Sequence, residues 1–297
     1  MSVAIIINPI SGTGGRPDVA RQRAELAASL ATSIGLTAEI FVTERGGHAR
    51  ELAIAALGRG ASDVVAWGGD GTVNEVATAL AFREGALAVV PSGSGNGLAR
   101  ELGIPLDPSA ALAVALGGRT RVIDCGELDG RLFVNVAGIG LDAQVAHEFA
   151  AQGLVRRGFL KYLEIAGRQM FRFEAANHTI TADGQTVRSR ALIIAIANAR
   201  QYGNGALIAP HARIDDGKLD VVVVGDRPVW QTLMNVPRLF NGRIGDVAGV
   251  SMLVASEVDI ASEKAVLYHV DGEPFMGSDR LRARALPNAL HVKVPAV

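Results

Sequence analysis

The sequence predicts a two-domain protein: an α/β domain built on a parallel sheet, followed by a β-rich domain of antiparallel strands. Three observations carry this. Short apolar runs alternate with helical patterns over the first third of the chain, glycine clusters follow the early runs, and from about Thr120 strand-like stretches joined by Asp-Gly turns take over. The length of 297 residues fits two domains of roughly 150 residues each.

In the first part, apolar runs at Val3 to Ile7, Ala38 to Val42, Val64 to Trp67 and Leu87 to Val90 read as strands. Helical patterns at Val19 to Ile34, His48 to Leu57 and Val73 to Phe82 separate them. Such alternation implies right-handed crossovers and a parallel sheet covered on both faces, with ligands at the carboxyl ends of the strands. In the second part, strands are expected at Arg121 to Leu128, Leu132 to Ala137, His178 to Ala182, Val187 to Ala197, Leu219 to Val224, Ser251 to Ala261 and Ala265 to Val270. Asp129-Gly130 and Asp183-Gly184 supply turns. Helical patterns at Phe159 to Phe173 and Val229 to Phe240 interrupt them. The boundary falls at Gly117-Gly118, giving residues 1–119 and 120–286. The last strand, Leu290 to Val294, can return to either domain, so 287–297 is a candidate completion of the first.

Composition narrows the partners. With 29 Lys plus Arg against 30 Asp plus Glu, the net charge is −1, too small a basic field to hold nucleic acid by counterion release. No apolar run approaches the roughly 20 residues that span a bilayer, and Met1 to Pro9 lacks the basic start of a signal peptide. A single cysteine, Cys125, fits a reducing compartment, so a cytoplasmic location is expected.

Thirty-five glycines are about 12% of the chain against a usual ~7%, and they cluster. Gly68-Gly69-Asp70-Gly71-Thr72 follows a strand and opens a helix, where glycines let the backbone approach a phosphate and free N–H groups point at it. Asp70 beside phosphates makes sense when a divalent cation bridges them; a tight turn with Asp70 hydrogen-bonded locally is the alternative. Asn8 to Gly15 and Pro91 to Gly97 lack a Walker lysine, which excludes an ordinary P-loop. Ser94 and Asn96 still suit phosphate or ribose oxygens.

The order Asn-Pro-x-Ser-Gly, Gly-Gly-Asp-Gly-Thr-x-Asn-Glu-Val, Pro-x-Gly-Ser-Gly-Asn-x-Leu-Ala-Arg and Asp271-Gly272-Glu273-Pro274 resembles the diacylglycerol kinase catalytic-domain family, which includes bacterial lipid kinases, sphingosine kinases and ceramide kinases. The resemblance implies an NAD kinase/diacylglycerol kinase-like fold with a C-terminal β-sandwich and a nucleotide site in the cleft between the domains. It assigns ATP contacts to Asn8, Ser11, Gly12, Thr43, Gly68, Gly69, Asp70, Gly71, Thr72, Glu75 and Ser94. It also implies an ATP- and Mg2+-dependent lipid kinase at the inner membrane surface, compatible with a homodimer, with diacylglycerol as the default acceptor. Ser94-Gly95-Asn96-Gly97 stands where bacterial members have Thr-x-Asn-Asp, a form closer to the sphingosine and ceramide kinases, which are the alternative. An NAD kinase and a non-catalytic nucleotide-binding regulator stand behind them.

Phosphoryl transfer needs a carboxylate to orient and deprotonate the attacking hydroxyl. Glu273 is the first choice and Asp271 the second; a type I′ hairpin turn is the alternative reading of Asp271-Gly272. At Asp215 to Asp220, the resemblance implies magnesium held by Asp216 with the carbonyls of Arg213 and Lys218. Asp142, which follows Gly138-Ile139-Gly140, is either a helix cap or, by analogy with sphingosine kinases, a residue that reads the lipid headgroup. The basic, apolar stretch Leu154 to Phe173, with Arg156, Arg157 and Lys161 toward anionic lipid and Phe159, Leu160, Leu163 and Phe171 in the acyl boundary, is a candidate interfacial helix, against a helix packed on its own domain. No histidine pairs at metal spacing, so zinc is not expected.

Overall fold

The computed structural model describes residues 2–12, 17–151 and 159–296. The chain divides into two compact units, Met1–Ile123 with Asn288–Val297, and Asp124–Pro287.

The first unit runs β1 Ser2–Ile7, α1 Pro17–Ser33, β2 Thr37–Val42, α2 His48–Gly58, β3 Asp63–Gly68, α3 Asp70–Leu80, β4 Ala86–Pro91, α4 Gly97–Glu101 and α5 Pro108–Gly117. β4, β3, β1 and β2 lie side by side in that order, all parallel. β3 and β4 are buried along their whole length and β1 from Val3 on, as strands covered on both faces must be, whereas the edge strand β2 is half exposed. α5 has no counterpart in the sequence reading. Its residues are apolar almost throughout, so no helical stripe stands out, yet Asp107 caps it by accepting the Ala110 N–H at 2.9 Å and Pro108 occupies its first position.

β5 Arg119–Leu128 leads into the second unit: β6 Arg131–Phe133, β7 Val136–Gly140, α6 Leu141–Ala151, α7 Phe159–Met170, β8 Ala176–Ala182, β9 Gln185–Ala197, β10 Gln201–Gly203, β11 Ala206–Leu207 and β12 Leu219–Gly225. α8 Val229–Phe240, β13 Val250–Ala255, β14 Glu257–Ser262, β15 Leu267–Val270, β16 Glu273–Met276 and β17 Arg280–Val294 complete it. The strands of this unit pair antiparallel, in the order β16, β15, β7, β9, β8, β14, β17. The first half of β9 pairs with β8. Its second half lies between β7 and β12, which gives the unit its sandwich-like build. Ile180, Ile194, Ile196, Val221, Val258 and Tyr268 lie in one buried cluster.

Two expected strands are split, each by a carboxylate that captures backbone N–H groups. Leu132 to Ala137 breaks because the Asp271 carboxylate takes the N–H groups of Val134, Asn135 and Val136. Ser251 to Ala261 breaks at Ser256, where Asp183 accepts the N–H groups of Ser256 and Glu257. These bonds, with side-chain help from Ser256, hold the exposed Asp183 carboxyl below its ordinary pKa. α7 ends at Met170, short of Phe173. Its Ile165, with Met170 and Phe173 nearby, packs on Leu141 and Val145 of α6, the arrangement of a helix seated on its own domain. Arg156 and Arg157, and the side chains of Phe159, Leu160, Lys161 and Leu163, fall outside the described residues.

The C-terminal half of β17 returns to the first unit, adding a parallel strand beside β4 through His291 and Val292. It carries Lys293, whose Nζ lies 3.3 Å from the Asp63 carboxylate with both side chains largely buried. Removing one partner of such a pair strands the other charge. Lys293→Ala should therefore lower the unfolding free energy by about 3 kcal/mol, read from the urea midpoint, and the double variant Lys293→Met/Asp63→Leu should recover most of that loss.

Candidate active site

Three loops at the carboxyl ends of β1, β3 and β4 pack against one another. Asn8 donates from Nδ2 to the Thr72 hydroxyl at 2.9 Å and accepts the Ile10 N–H on Oδ1. The hydroxyls of Ser11 and Ser92 lie 2.6 Å apart. Gly12 has a positive φ of 73° and backs onto the Ser92 carbonyl, where a Cβ has no room. Gly93 faces Gly69 so closely that a Cβ on Gly93 would stand 2.7 Å from the Gly69 Cα. Only glycine at both positions lets these backbones touch. Asn96, at a φ of 52°, closes the third loop by bonding both the N–H and the carbonyl of Gly93.

Asp70 joins the second loop to the third, its carboxylate accepting the N–H groups of Asn96 at 3.0 Å and Gly97 at 2.7 Å. These bonds reach 26 and 27 residues along the chain, so Asp70 is not bonded within its own turn; it ties two glycine-rich loops into one frame. Glu75 does the same for the loop after β2: its carboxylate accepts from Gly47 and Ala49, each at 2.9 Å. Thr43 is buried, its N–H bonded to the Ile7 carbonyl. Ser94 stands exposed at the third loop's tip. Of the candidate nucleotide residues, Asn8, Ser11, Gly12, Gly68 and Gly69 lie at these interlocked strand ends, and Asp70, Gly71 and Thr72 form the first turn of α3. Thr13, Gly14 and Gly15 lie outside the described residues.

The sequence reading passes over Arg23. From α1 its guanidinium donates to the carbonyls of Asn8 and Ser11 at 2.7 and 2.9 Å and lies over the Trp67 ring. Burial lowers its pKa, though a guanidinium stays charged in proteins. It is a cation held beside the first loop, in a fold that lacks the Walker lysine. Its position one turn and a half into a helix gives no local signal.

In the second unit, Asp271 and Gly272, at φ 47° and 84°, form the two-residue turn between β15 and β16, where Val270 pairs with Glu273. These are the dihedrals of a type I′ hairpin. The turn does more than reverse the chain, because the Asp271 carboxylate accepts from Val134 at 2.8 Å, Asn135 at 2.9 Å and Val136 at 3.2 Å. Glu273 stands exposed beside it. Buried His269 accepts the Gly272 N–H on Nδ1 at 3.2 Å. The ring proton therefore sits on Nε2, which faces Asp142 Oδ2 at 3.3 Å. Tyr202 donates to the same oxygen at 2.9 Å. Gly138 makes this possible, since a Cβ there would collide with Asp142 and stand 2.8 Å from His269. Asp142 bonds the adjacent Ala143 N–H and its side chain is only 5% exposed, so it faces the hairpin rather than solvent.

The turn at 213–218 connects to the hairpin through buried polar groups. Gly217 N–H donates to the Asp124 carboxylate at 2.6 Å. Asn198 Nδ2 donates to the carbonyls of Asp124 and Val134, and Val134 N–H reaches Asp271. Asp216 is exposed and accepts the Lys218 N–H at 3.0 Å. Arg213 directs its guanidinium toward Asp215. Burial, and then the charge of Asp216, push the Asp220 carboxyl up to about 6, with His211 pulling the other way. Among the described residues no group of three or more His, Cys, Asp or Glu side chains is placed to hold a metal. The charge of Asp216 that raises Asp220 is the feature of this turn that suits a cation, and magnesium needs only one or two carboxylates beside water.

Two family models match the chain. The diacylglycerol kinase catalytic domain covers residues 2–128, and the YegS C-terminal NAD kinase beta sandwich-like domain covers 135–294. The chain is 35% identical to a "Probable lipid kinase YegS-like" of Pseudomonas aeruginosa over 267 residues, 86% of this chain and 84% of the relative. It is 31% identical to the protein of the same name from Pectobacterium atrosepticum, with 88% and 87% covered. A crystal structure of a diacylglycerol kinase from Bacillus anthracis superposes with a TM-score of 0.73 at 20% identity, covering 99% of this chain and 96% of that one. A further crystal structure from that organism reaches 0.79 at 22% identity with the same coverage. At such identity these two likenesses speak for the fold. The relatives, each above 30% identity across most of both chains, together with the two matching models, place the chain in the diacylglycerol kinase catalytic-domain family and make it a kinase.

Proposed function

We propose that the chain transfers the γ-phosphoryl group of Mg-ATP to a lipid hydroxyl, that of diacylglycerol by default, with Glu273 as the general base. The observation that carries this reading is the division of labour at the hairpin. Asp271 is engaged with three backbone N–H groups and anchors the turn, while its neighbour Glu273 is exposed. That arrangement favours Glu273 for proton abstraction and Asp271 for positioning. The interlocked loops around Gly69, Asp70 and Gly93 suit the phosphates of a nucleotide, to which Asn8, Ser11, Gly12, Thr72 and Ser94 add hydroxyls, amides and close backbone approach; Arg23 keeps the first loop in shape. Thr43 and Glu75 support the frame. Magnesium, when bound, would neutralise phosphate charge and, at the Asp216 turn, bind the carbonyls of Arg213 and Lys218.

A sphingoid base or ceramide is the second acceptor class, favoured by Ser94-Gly95-Asn96. Asp142 supports it less than the sequence suggests, because its carboxylate is already held by Tyr202 and His269. The reading further places the protein in the cytoplasm, at the inner membrane surface. Incubating the purified chain with labelled ATP, a total lipid extract and NAD tests the whole proposal. Labelled phosphatidic acid supports it, a labelled long-chain base transfers it to the second class, and labelled NADP without a lipid product overturns both.

Three variants test the roles. Loss of a general base lowers turnover by about 100- to 10,000-fold, so Glu273→Gln should fall by that much in kcat with ATP affinity and melting temperature near wild type. Asp271→Asn should lose turnover and also melt several degrees lower, because an amide cannot accept three N–H groups without turning its own NH2 against one of them. Equal melting temperatures for Asp271→Asn and wild type would return Asp271 to the list of bases. A ligand that binds only the folded state stabilises it; millimolar magnesium without ATP should therefore raise the melting temperature of wild type but not of Asp216→Ala.

A further inference from the structure

We propose that α8 is a membrane-docking helix that seats its apolar face in a bilayer carrying anionic headgroups. The inference deepens the lipid-kinase reading and rests on it only for the relevance of a lipid surface. Its grounds lie in the helix itself. Trp230, Leu233 and Met234 are 62%, 46% and 72% exposed, and Pro237 is exposed as well. These positions, i, i+3, i+4 and i+7, form one stripe of a helix. None of the residues of α8 is buried. The contact with its own unit comes from the opposite side, where Leu239 packs on a cluster containing Ile208 and Val222. A soluble helix turns such a stripe inward; this one turns it out.

Charge selects the occupant. Between Arg227 and Arg243 there are three arginines and no Asp or Glu. Arg243 pairs with Asp246 beyond the helix, whereas Arg227 and Arg238 have no carboxylate partner among the described residues. Arg238 lies eight positions after Trp230, about 80° round the helix, so it flanks the apolar stripe. An exposed apolar face with a tryptophan, flanked by Arg238 and preceded by Arg227 in a segment without acids, matches a helix lying in the plane of an anionic interface. A second copy of the chain fits poorly, since a two-fold contact sets the same patch against itself and brings arginine to arginine with no acid to meet it. The sequence sets an interfacial role for Leu154 to Phe173 against a helix packed on its own domain; the described part of α7 buries Ile165 against α6, and Phe171 stands exposed just past its end.

The chain contains two tryptophans, and Trp67 is buried, so a change in emission reports Trp230. Vesicles of phosphatidylcholine with phosphatidylglycerol should shift the emission to the blue and sediment with the protein. Vesicles of phosphatidylcholine alone should do so far less, and added salt should weaken the binding. Met234→Asp should reduce partition by about tenfold or more, and Arg238→Glu by several-fold, both with wild-type circular dichroism and melting. Phe171→Asp should partition like wild type. Wild type without an emission shift, Met234→Asp binding like wild type, or loss of binding in Phe171→Asp alone would each overturn the proposal. So would a concentration-dependent dimer that Met234→Asp dissociates in the absence of any lipid binding. Turnover on a lipid dispersed in detergent should survive in Met234→Asp. Vesicle binding without any lipid phosphorylation would sink the kinase reading and leave this one standing.

Discussion

The second unit depends on one carboxylate. Asp271 sits at the tip of a tight turn, at a φ that asparagine, aspartate and glycine tolerate best, and collects three consecutive N–H groups where the chain passes from β6 into β7. Three converging donors make a carboxylate an anchor, and this anchor fixes two things together. It stops the strand that would otherwise run from Leu132 to Ala137, and it pins the hairpin on which Glu273 stands. Asp124 performs the matching task for the turn at Gly217, and Asn198 bridges the two segments. Burial, with the charges of Asp271 and Asp124, raises the pKa of the buried Cys125 thiol well above its ordinary value, so the lone cysteine is held as a thiol.

The first unit uses the same device with a different purpose. Asp70 and Glu75 each accept two backbone N–H groups from a neighbouring segment, so acidic side chains extend beyond the strand ends the ties that backbone bonds such as Ser92 N–H to Gly68 begin. The glycines then let those loops meet backbone to backbone. The hydrogen bonds of Asp70 explain why aspartate in particular serves there, since its short side chain reaches the Asn96 and Gly97 N–H groups from the first residue of α3.

Much of this architecture is legible in the sequence because it is local. Buried parallel strands are continuous apolar runs, glycine clusters mark the loops that follow them, and Asp271-Gly272 is a hairpin signal in its own right. What escapes is what acts at a distance. The N–H groups captured by Asp271 lie more than a hundred residues earlier in the chain, and nothing near Val134 announces them. Arg23 looks like any surface arginine on a helix until its guanidinium is found on the carbonyls of Asn8 and Ser11. Gly138 reads as part of a loose glycine pattern, whereas its function is to leave room for Asp142 against His269. α5 escapes for another reason: a helix apolar on every side has no period to detect, and its cap, Asp107-Pro108, is the feature that betrays it.

The two helices with an amphipathic pattern in the second unit make the point from the other direction. Periodicity shows that a helix has an apolar face and is silent about what meets it. α7, with its run of basic residues, has the stronger sequence signature of an interfacial helix, yet its described part faces inward because α6 and β9 offer Leu141, Val145 and Leu192 to cover it. α8 has fewer charges and a proline within it, and its apolar stripe faces outward because the cover the unit offers, around Ile208 and Val222, meets Leu239 on the far side. The difference lies in the neighbours rather than in the helices, which is why the charges around an uncovered stripe, and not its hydrophobicity alone, decide what it is built to meet.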